Sequence, residues 1–488
     1  MLPVRVMHRR DVLTLTATTV VGLALSSARV FAQASNGKKV TDVLADYMSA
    51  AGARPLPPIV AENAKYHLLD TLASMISGSE LLPGQSAQRY IRAHGGKGGA
   101  TIAGTSLTAG PADAALANGI MAHADETDDS HNASRSHPGC AVVPAALAVG
   151  EELGIDGARF LRAVTLGYDI GPRVVMAMGG ADWSYETSLA THSIAGTFGA
   201  AAAAGSAAGL SAQQMRWLLD YAGQQASGIA AWQRDTEHIE KSLVFAGMPA
   251  RNGVSAALLI QLGGTGVDDI FSGADNFLLS FAPQADPARL IDKLGERYEV
   301  TRTNIKKWTV GSPIQAPLDA LENLRKRHPF EPAGVQRVAV RLATSEAKTV
   351  NDREMPDISL QYMVAVMLLD KTASFAAAHD KPRMQDAAVQ REKAKVQLIP
   401  DEELERLYPR RETLVEVTLT DGTKLTERVG AVRGTAENPM TREEVVAKCR
   451  DLTAPVLGSA GAGKLITRVL ELEKSKDIRE LRPLLQAG

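Results

Sequence analysis

Apolar positions in the first half of the chain recur at steps of three and four, the spacing that lines one face of a helix. Between Pro57 and Gly78, the residues Val60, Ala64, Leu68, Leu72, Met75 and Ile76 form such a face, and Gly78 ends it. The same period runs through Ala112 to Ala122, Pro144 to Leu153, Phe160 to Val175 and Ser211 to Tyr221, with Gly, Pro or Ser between. No stretch before about residue 298 alternates convincingly as a strand. The run THSIAGTFGAAAAAGSAAGL, residues 191–210, predicts a helix with almost no side-chain bulk, against which neighbouring backbones pack closely. Its first turn offers free N–H groups to an anion.

After Arg297 the period shortens. Val338, Val340 and Leu342 alternate with Arg337, Ala339 and Arg341, as in a half-buried strand. LVEVTLTDGTKLTERV, residues 414–429, is two alternating runs around Asp421-Gly422, a pair that suits a hairpin turn. From Asn438 the helical period returns. The pattern therefore predicts a mainly α fold. A helical domain covers residues 35–297, a smaller α+β domain covers 298–435, and helices over 436–488 return to the first.

The chain's 488 residues, 45% of them hydrophobic, suffice for two cores. A net charge of −2 and the lack of a basic stripe with interleaved aromatics give no reason to expect a nucleic-acid partner. Residues 1–34 read differently: Arg9 and Arg10, an apolar run from Val12 to Leu25, then Ala32-Gln33-Ala34. That order predicts an export signal with a small-residue cleavage site. The run is shorter than the roughly 20 residues of a spanning helix, so no permanent membrane anchor is expected. Adjacent arginines followed by Asp11, Val12 and Leu13 point to twin-arginine export and a periplasmic location. Cys140 and Cys449 are too few for a disulfide framework. Both read as small buried groups, with a single bridge left open by the sequence.

Residues 122–139, AHADETDDSHNASRSHPG, crowd three histidines, three aspartates and a glutamate into one stretch. His123, Asp125, Asp128, Asp129, His131 and His137 could ligate a metal, yet no compact zinc signature accompanies them. The spacing therefore argues against a metal centre. GSAGAGKL, residues 458–465, nearly spells a phosphate loop, but Leu465 stands where magnesium needs Ser or Thr and no strand precedes it. It reads as a Gly-rich helix connection.

Asp128-Asp129-Ser130-His131, then His137-Pro138-Gly139 leading into AVVPAALAVGEELG, resembles the signature of the MmgE/PrpD family, which includes 2-methylcitrate dehydratase and cis-aconitate decarboxylase. GYDIGPRV at 167–174, THSIAGTFGAAAAA at 191–204, EKSLVFAGMPARNGVSAALL at 240–259, NIKKW at 304–308, DREMPDISLQYMVAVMLLD at 352–370 and ENPM at 437–440 follow in the family's order. The resemblance implies a helical domain built from both chain ends, an inserted α+β lid, a homodimer, and a site in the cleft that uses neither metal nor iron–sulfur cluster.

Residue by residue, the resemblance puts catalytic positions at Glu126, Ser130, His137, His192, Lys241, Lys306 and Tyr362, with Asp128 and Asp129 as the paired acids of the signature. The chemistry accounts for such a set. Removing a proton next to a carboxylate concentrates negative charge, which Lys241 and Lys306 would stabilise in a water-poor cleft. His137 and His192 would be the acid and base, in either order. Asp128 and Asp129 would orient a histidine or lysine, and Tyr362 would donate to the leaving hydroxyl or a substrate carboxylate. The implied enzyme is a cofactor-independent lyase of the 2-methylcitrate dehydratase kind, acting on a small polycarboxylate, with decarboxylation or epimerisation chemically close. One departure stands out. The lid segment TVGSPIQAPLDA, residues 309–320, lacks polar groups that many relatives carry after the lysine of NIKKW. A periplasmic carboxylate-binding protein without turnover is the competing reading it motivates, and a metal-dependent hydrolase is the third.

Overall fold

A computed structural model of the chain describes residues 38–408 and 410–487. The export-signal segment, residues 1–34, lies outside them. The architecture is mainly α, with two small sheets. One apolar core gathers residues from Leu44 to Ile305 and again from Met440 to Leu485. A second holds Trp308 to Val432.

The first core is built around the helix Thr191–Ala208, nearly all of which is buried. Helices Gly139–Leu153, Gly157–Ala177 and Met248–Gln261 pack on it. Glycine makes that approach possible. A Cβ on Gly171 would stand 2.4 Å from the Ala195 carbonyl oxygen, and one on Gly253 would stand 2.5 Å from the Ala201 nitrogen. Backbone meets backbone here, so a methyl group could be accommodated only by moving a helix.

The expected helices are present, with shifted ends. Pro58–Gly78, Pro111–Ala122, Gly157–Ala177 and Ala212–Gln225 keep the predicted faces. Gly139–Leu153 starts five residues before Pro144, because the Asp129 carboxylate, ten residues upstream, accepts the Gly139 N–H at 3.0 Å and so satisfies the helix's first turn. Residues 458–465 lie inside the helical run Arg442–Leu470, broken where Gly458 takes φ 71°. Both cysteines are buried and free.

Strands β1 (Ala100–Thr101) and β2 (Thr108–Ala109) pair antiparallel in the helical domain, a two-residue ladder too short to leave a period in the sequence. The lid sheet has four strands, β3 (Val335–Ala343), β4 (Val396–Asp401), β5 (Thr413–Leu419) and β6 (Lys424–Val429), in the spatial order β4-β3-β5-β6. Its centre, β3, buries Val338, Val340 and Leu342 and exposes Arg337 and Arg341. It runs parallel to β4 and antiparallel to β5, which turns at Asp421-Gly422 into β6. Gly422 has φ 89°, and the Asp421 side chain accepts the Thr423 N–H at 2.9 Å.

Candidate active site

Residues 123–137 join the helices Pro111–Ala122 and Gly139–Leu153, and connections of this kind usually lie in water. This one is buried: His123, Thr127, Asp128 and Asp129 are all 0% exposed. Buried charges require partners, and the surrounding elements supply them. Asp129 points into the helical core, where Tyr168 donates to its Oδ2 at 2.6 Å and His67 Nδ1 lies 2.8 Å away. Lys448, from the helical run that follows the lid, pairs with Asp70 at 2.6 Å and donates to the Thr127 carbonyl at 2.9 Å. Ser130 and Asn304 exchange backbone hydrogen bonds at 3.0 and 2.7 Å. That bridge fixes the segment leading to Lys306. The GYDIGPRV motif holds the same segment from behind, since fully buried Arg173 donates to the carbonyls of Asp292 and Arg297.

On the opposite side of the loop two carboxylates collect the cations. Glu126 is ion-paired to Lys241 through Oε1, with His238 Nε2 3.2 Å from the same oxygen and Lys306 Nζ 3.6 Å from Oε2. Lys306 also donates to the Glu126 carbonyl at 2.7 Å and stands 3.7 Å from Asp128. Burial pushes the Glu126 carboxyl upward, but Lys241, His238 and Lys306 together hold it well below the usual range. Asp128 behaves alike: burial opposes ionisation, and His123, His137 and Lys306 outweigh it. Its oxygens meet His123 Nδ1 at 3.0 Å and His137 Nδ1 at 3.2 Å. Because the carboxylate accepts at Nδ1, each ring keeps Nε2 for other work.

Phe245 is the floor of the imidazole cluster. His192 stacks on it with centroids 3.9 Å apart and 15° between planes, and His123 stacks at 4.8 Å. His137 lies 5.6 Å from His192, and Trp232 closes the edge at 4.6 Å from Phe245. Phe245 owes its place to a π turn, Leu243–Gly247. Pro249 has no N–H for the carbonyl four residues back, so the helix widens there. His192 Nδ1, His123 Nε2 and His238 Nδ1 are shielded from water and lack hydrogen-bond partners among the described residues. Burial lowers the His192 pKa well below that of a free imidazole, with His137, Arg135 and Lys241 acting in the same direction. Burial also brings His123 to about 3 against the pull of Asp128. Both rings are therefore neutral at pH 7.

The two domain profiles described as MmgE/PrpD N-terminal and MmgE/PrpD C-terminal match residues 42–290 and 308–473. The chain belongs to the MmgE/PrpD family. Its relatives include the cis-aconitate decarboxylase-like protein oryM of Aspergillus oryzae, 27% identical over 91% of this chain and 97% of that one. The cis-aconitate decarboxylase of Aspergillus terreus is 26% identical over 92% and 97%, and that of Homo sapiens 25% over 92% and 95%.

Of the positions carried over from the MmgE/PrpD resemblance, the fold brings Glu126, Asp128, His137, His192, Lys241 and Lys306 into one cluster, with Ser130 at its edge. Two stand apart. Asp129 faces the helical core, as above. Tyr362 is fully buried inside the lid, on the helix Leu360–Asp370, and its hydroxyl donates to the Ala377 carbonyl at 2.8 Å. The lid's own backbone thus holds this hydroxyl. Sequence reasoning in turn missed His238, Trp232, Phe245 and His379. His238 precedes Lys241 by one helical turn and takes φ 62°, a conformation that strains a non-glycine residue and concentrates at functional sites. His379, from the lid, reaches Asp125 at 3.0 Å.

Among the described residues two donor sets lie close enough for an ion, His123 with Asp128 and Cys140, and His123 with Glu126 and His238. The ammonium groups of Lys241 and Lys306 already occupy the Glu126 carboxylate, and Lys306 also stands beside Asp128. Neighbouring positive charge opposes a metal cation at either set, so the donors fit a proton-handling site better than a metal centre.

Proposed function

We propose that this protein is a lyase of small polycarboxylates that generates a carbanion next to a carboxylate and stabilises it with its own lysines. The observation that carries the reading is the convergence of Lys241 and Lys306 on Glu126, within a buried wall of imidazoles. Fixed cations in a water-poor site act on charge as it develops, at no cost in reorganisation. Neutral His192, with an unengaged Nδ1, is the base. His137, aligned by Asp128, delivers a proton.

Two reactions follow from this arrangement. In dehydration, as of 2-methylcitrate, His192 removes the proton beside the carboxylate, the C–O bond breaks, and His137 protonates the departing hydroxide. In decarboxylation, as of cis-aconitate, a C–C bond to a carboxylate breaks, its electron pair stays on carbon, and His137 protonates that carbon. The fungal and human relatives are cis-aconitate decarboxylases, which makes cis-aconitate the first substrate to test. Incubation of the purified chain with cis-aconitate, citrate and 2-methylcitrate, followed by proton NMR, reads both outcomes. Turnover of at least one acid is expected, and its product identifies the reaction. Failure to convert any of the three between pH 5 and 9, at millimolar substrate, refutes the reading.

A further inference from the structure

Between the lid and the helical domain lies a cavity of about 190 Å³ lined in part by Ser130 of the acidic loop and by Lys306. Its described lining carries Arg302, Lys306, Arg410, Arg411 and Arg433 against a single carboxylate, Glu437. The acids that pair with the arginines are not part of the lining. Arg302 pairs with Glu299 at 3.0 Å, Arg410 with Glu412 at 3.3 Å, Arg411 with Glu346, and Arg433 with Glu444. Glu299, Glu346 and Glu412 are buried behind the wall, so the cavity is presented with guanidinium groups. The Nε of Arg411 is shielded from water and has no acceptor among the described residues.

The cavity also answers what the lid segment 309–320 left open. Gln315, a polar residue of that segment and part of the lining, spends its amide on the backbone of Trp308 and Val310. The lid's positive groups come instead from the residues flanking β5 and β6. An arginine fork matches a carboxylate with two parallel hydrogen bonds, and a cleft lined by one sign of charge concentrates ligands of the other.

We propose that this cavity is a docking vestibule for the carboxylates of the substrate that do not react, and that it selects small acids with two or more of them. The proposal rests on the lyase reading for its substrate class, but not on which reaction follows. Its test uses the full chain and tricarballylate, an unreactive tricarboxylate, with propionate as the monocarboxylate comparison. Titration calorimetry is run on the native protein, on R302Q/R410Q and on R89Q, an exposed arginine on the helix Leu82–His94. The native protein and R89Q should bind tricarballylate alike and propionate far more weakly. The double variant should lose about 10- to 100-fold in tricarballylate affinity, the size expected for one or two charge-assisted contacts, and any acid that is turned over should lose in KM more than in kcat.

Folding is protected by the remaining partners, since Glu299 keeps Arg297 at 2.7 Å and Glu412 keeps Arg428 at 2.9 Å. The unliganded melting temperature should stay within about 2 °C of the native value. If the double variant misfolds, R410Q alone gives the same reading, because Arg410 is the more exposed of the two. Unchanged affinity in the folded variant, or no binding of tricarballylate by the native protein, overturns the proposal. Turnover that is indifferent to these arginines removes the vestibule and leaves the lyase. Arginine-dependent binding without turnover of any acid removes the lyase and leaves the vestibule.

Discussion

Replacing His379 by Gln tests how the lid is held on the site. The residue caps the short lid helix Phe375–Ala378, and its Nδ1 donates to the Phe375 carbonyl at 2.7 Å while Nε2 faces Asp125 at 3.0 Å. A ring with a backbone carbonyl at one nitrogen and a carboxylate 3.0 Å from the other is best served by the imidazolium form. Burial lowers its pKa, but Asp125, helped by Asp357, more than reverses this and raises it to about 9. Asp357 in turn lies near His238, Glu126 and Asp125, so the groups facing the ring from both domains are mostly acidic. Since the folded pKa is raised, the stabilisation is complete below the free-imidazole value and is lost as pH rises through the folded one. A rise from 6.5 to about 9 corresponds to about 3 kcal/mol at pH 6. Linkage leaves about 2 kcal/mol at pH 7.5, less than about 1 at pH 9 and almost nothing at pH 10. Urea unfolding of the native chain and H379Q at those four pH values, followed by tryptophan fluorescence, reads the gap between them. The gap should narrow by about 3 kcal/mol from pH 6 to pH 10. A gap that is constant or widens with pH would show that His379 carries no charge in the folded protein, and its role as a charged tie between lid and loop would be refuted.

Three further outcomes are expected. Lys241→Ala and His192→Ala should each lower kcat/KM by about 10³ with little change in melting, since Glu126 retains Lys306 and His238; near-native rates in both would remove the site assignment. Asp128→Asn should cost mainly activity, about 100-fold, whereas Asp129→Asn should cost mainly stability, about 2–3 kcal/mol, because its partners Tyr168, His67 and the Gly139 N–H all lie in the helical core; paired melting and rate measurements separate the two. Tyr362→Phe should lower stability by about 1 kcal/mol and leave turnover intact, and a large loss of kcat would return Tyr362 to the site.

The regular elements were legible where period and burial coincide. The helix Pro58–Gly78 and the hairpin of β5 and β6 carry their own faces and turn residues. β4 was not legible, because Val396–Asp401 contains Pro400 and alternates between half-buried and exposed without a clean apolar face. The early start of the helix at Gly139 depends on a carboxylate ten residues upstream, which no window on that helix contains. The site divides in the same way. The motif order marks which residues recur together, but not which way a side chain faces. Thus Asp128 and Asp129, adjacent in sequence, point into different surroundings, and Tyr362 turns inward within an apolar helix. Phe245 was hidden because only the widened turn ahead of Pro249 brings it beneath the histidines.

Lys448 connects the two ends of the molecule in time as well as in space. Its ammonium group braces Thr127 across 321 residues of chain, and the whole lid is synthesised between them. A ribosome that has already released the acidic loop, His192, Lys241 and Lys306 has still not made the residue that braces the loop. The braced form of the loop is therefore completed late in synthesis. A nascent chain halted after the lid would hold the whole cluster of buried histidines, lysines and acids without the ammonium group that ties its loop to the helical core.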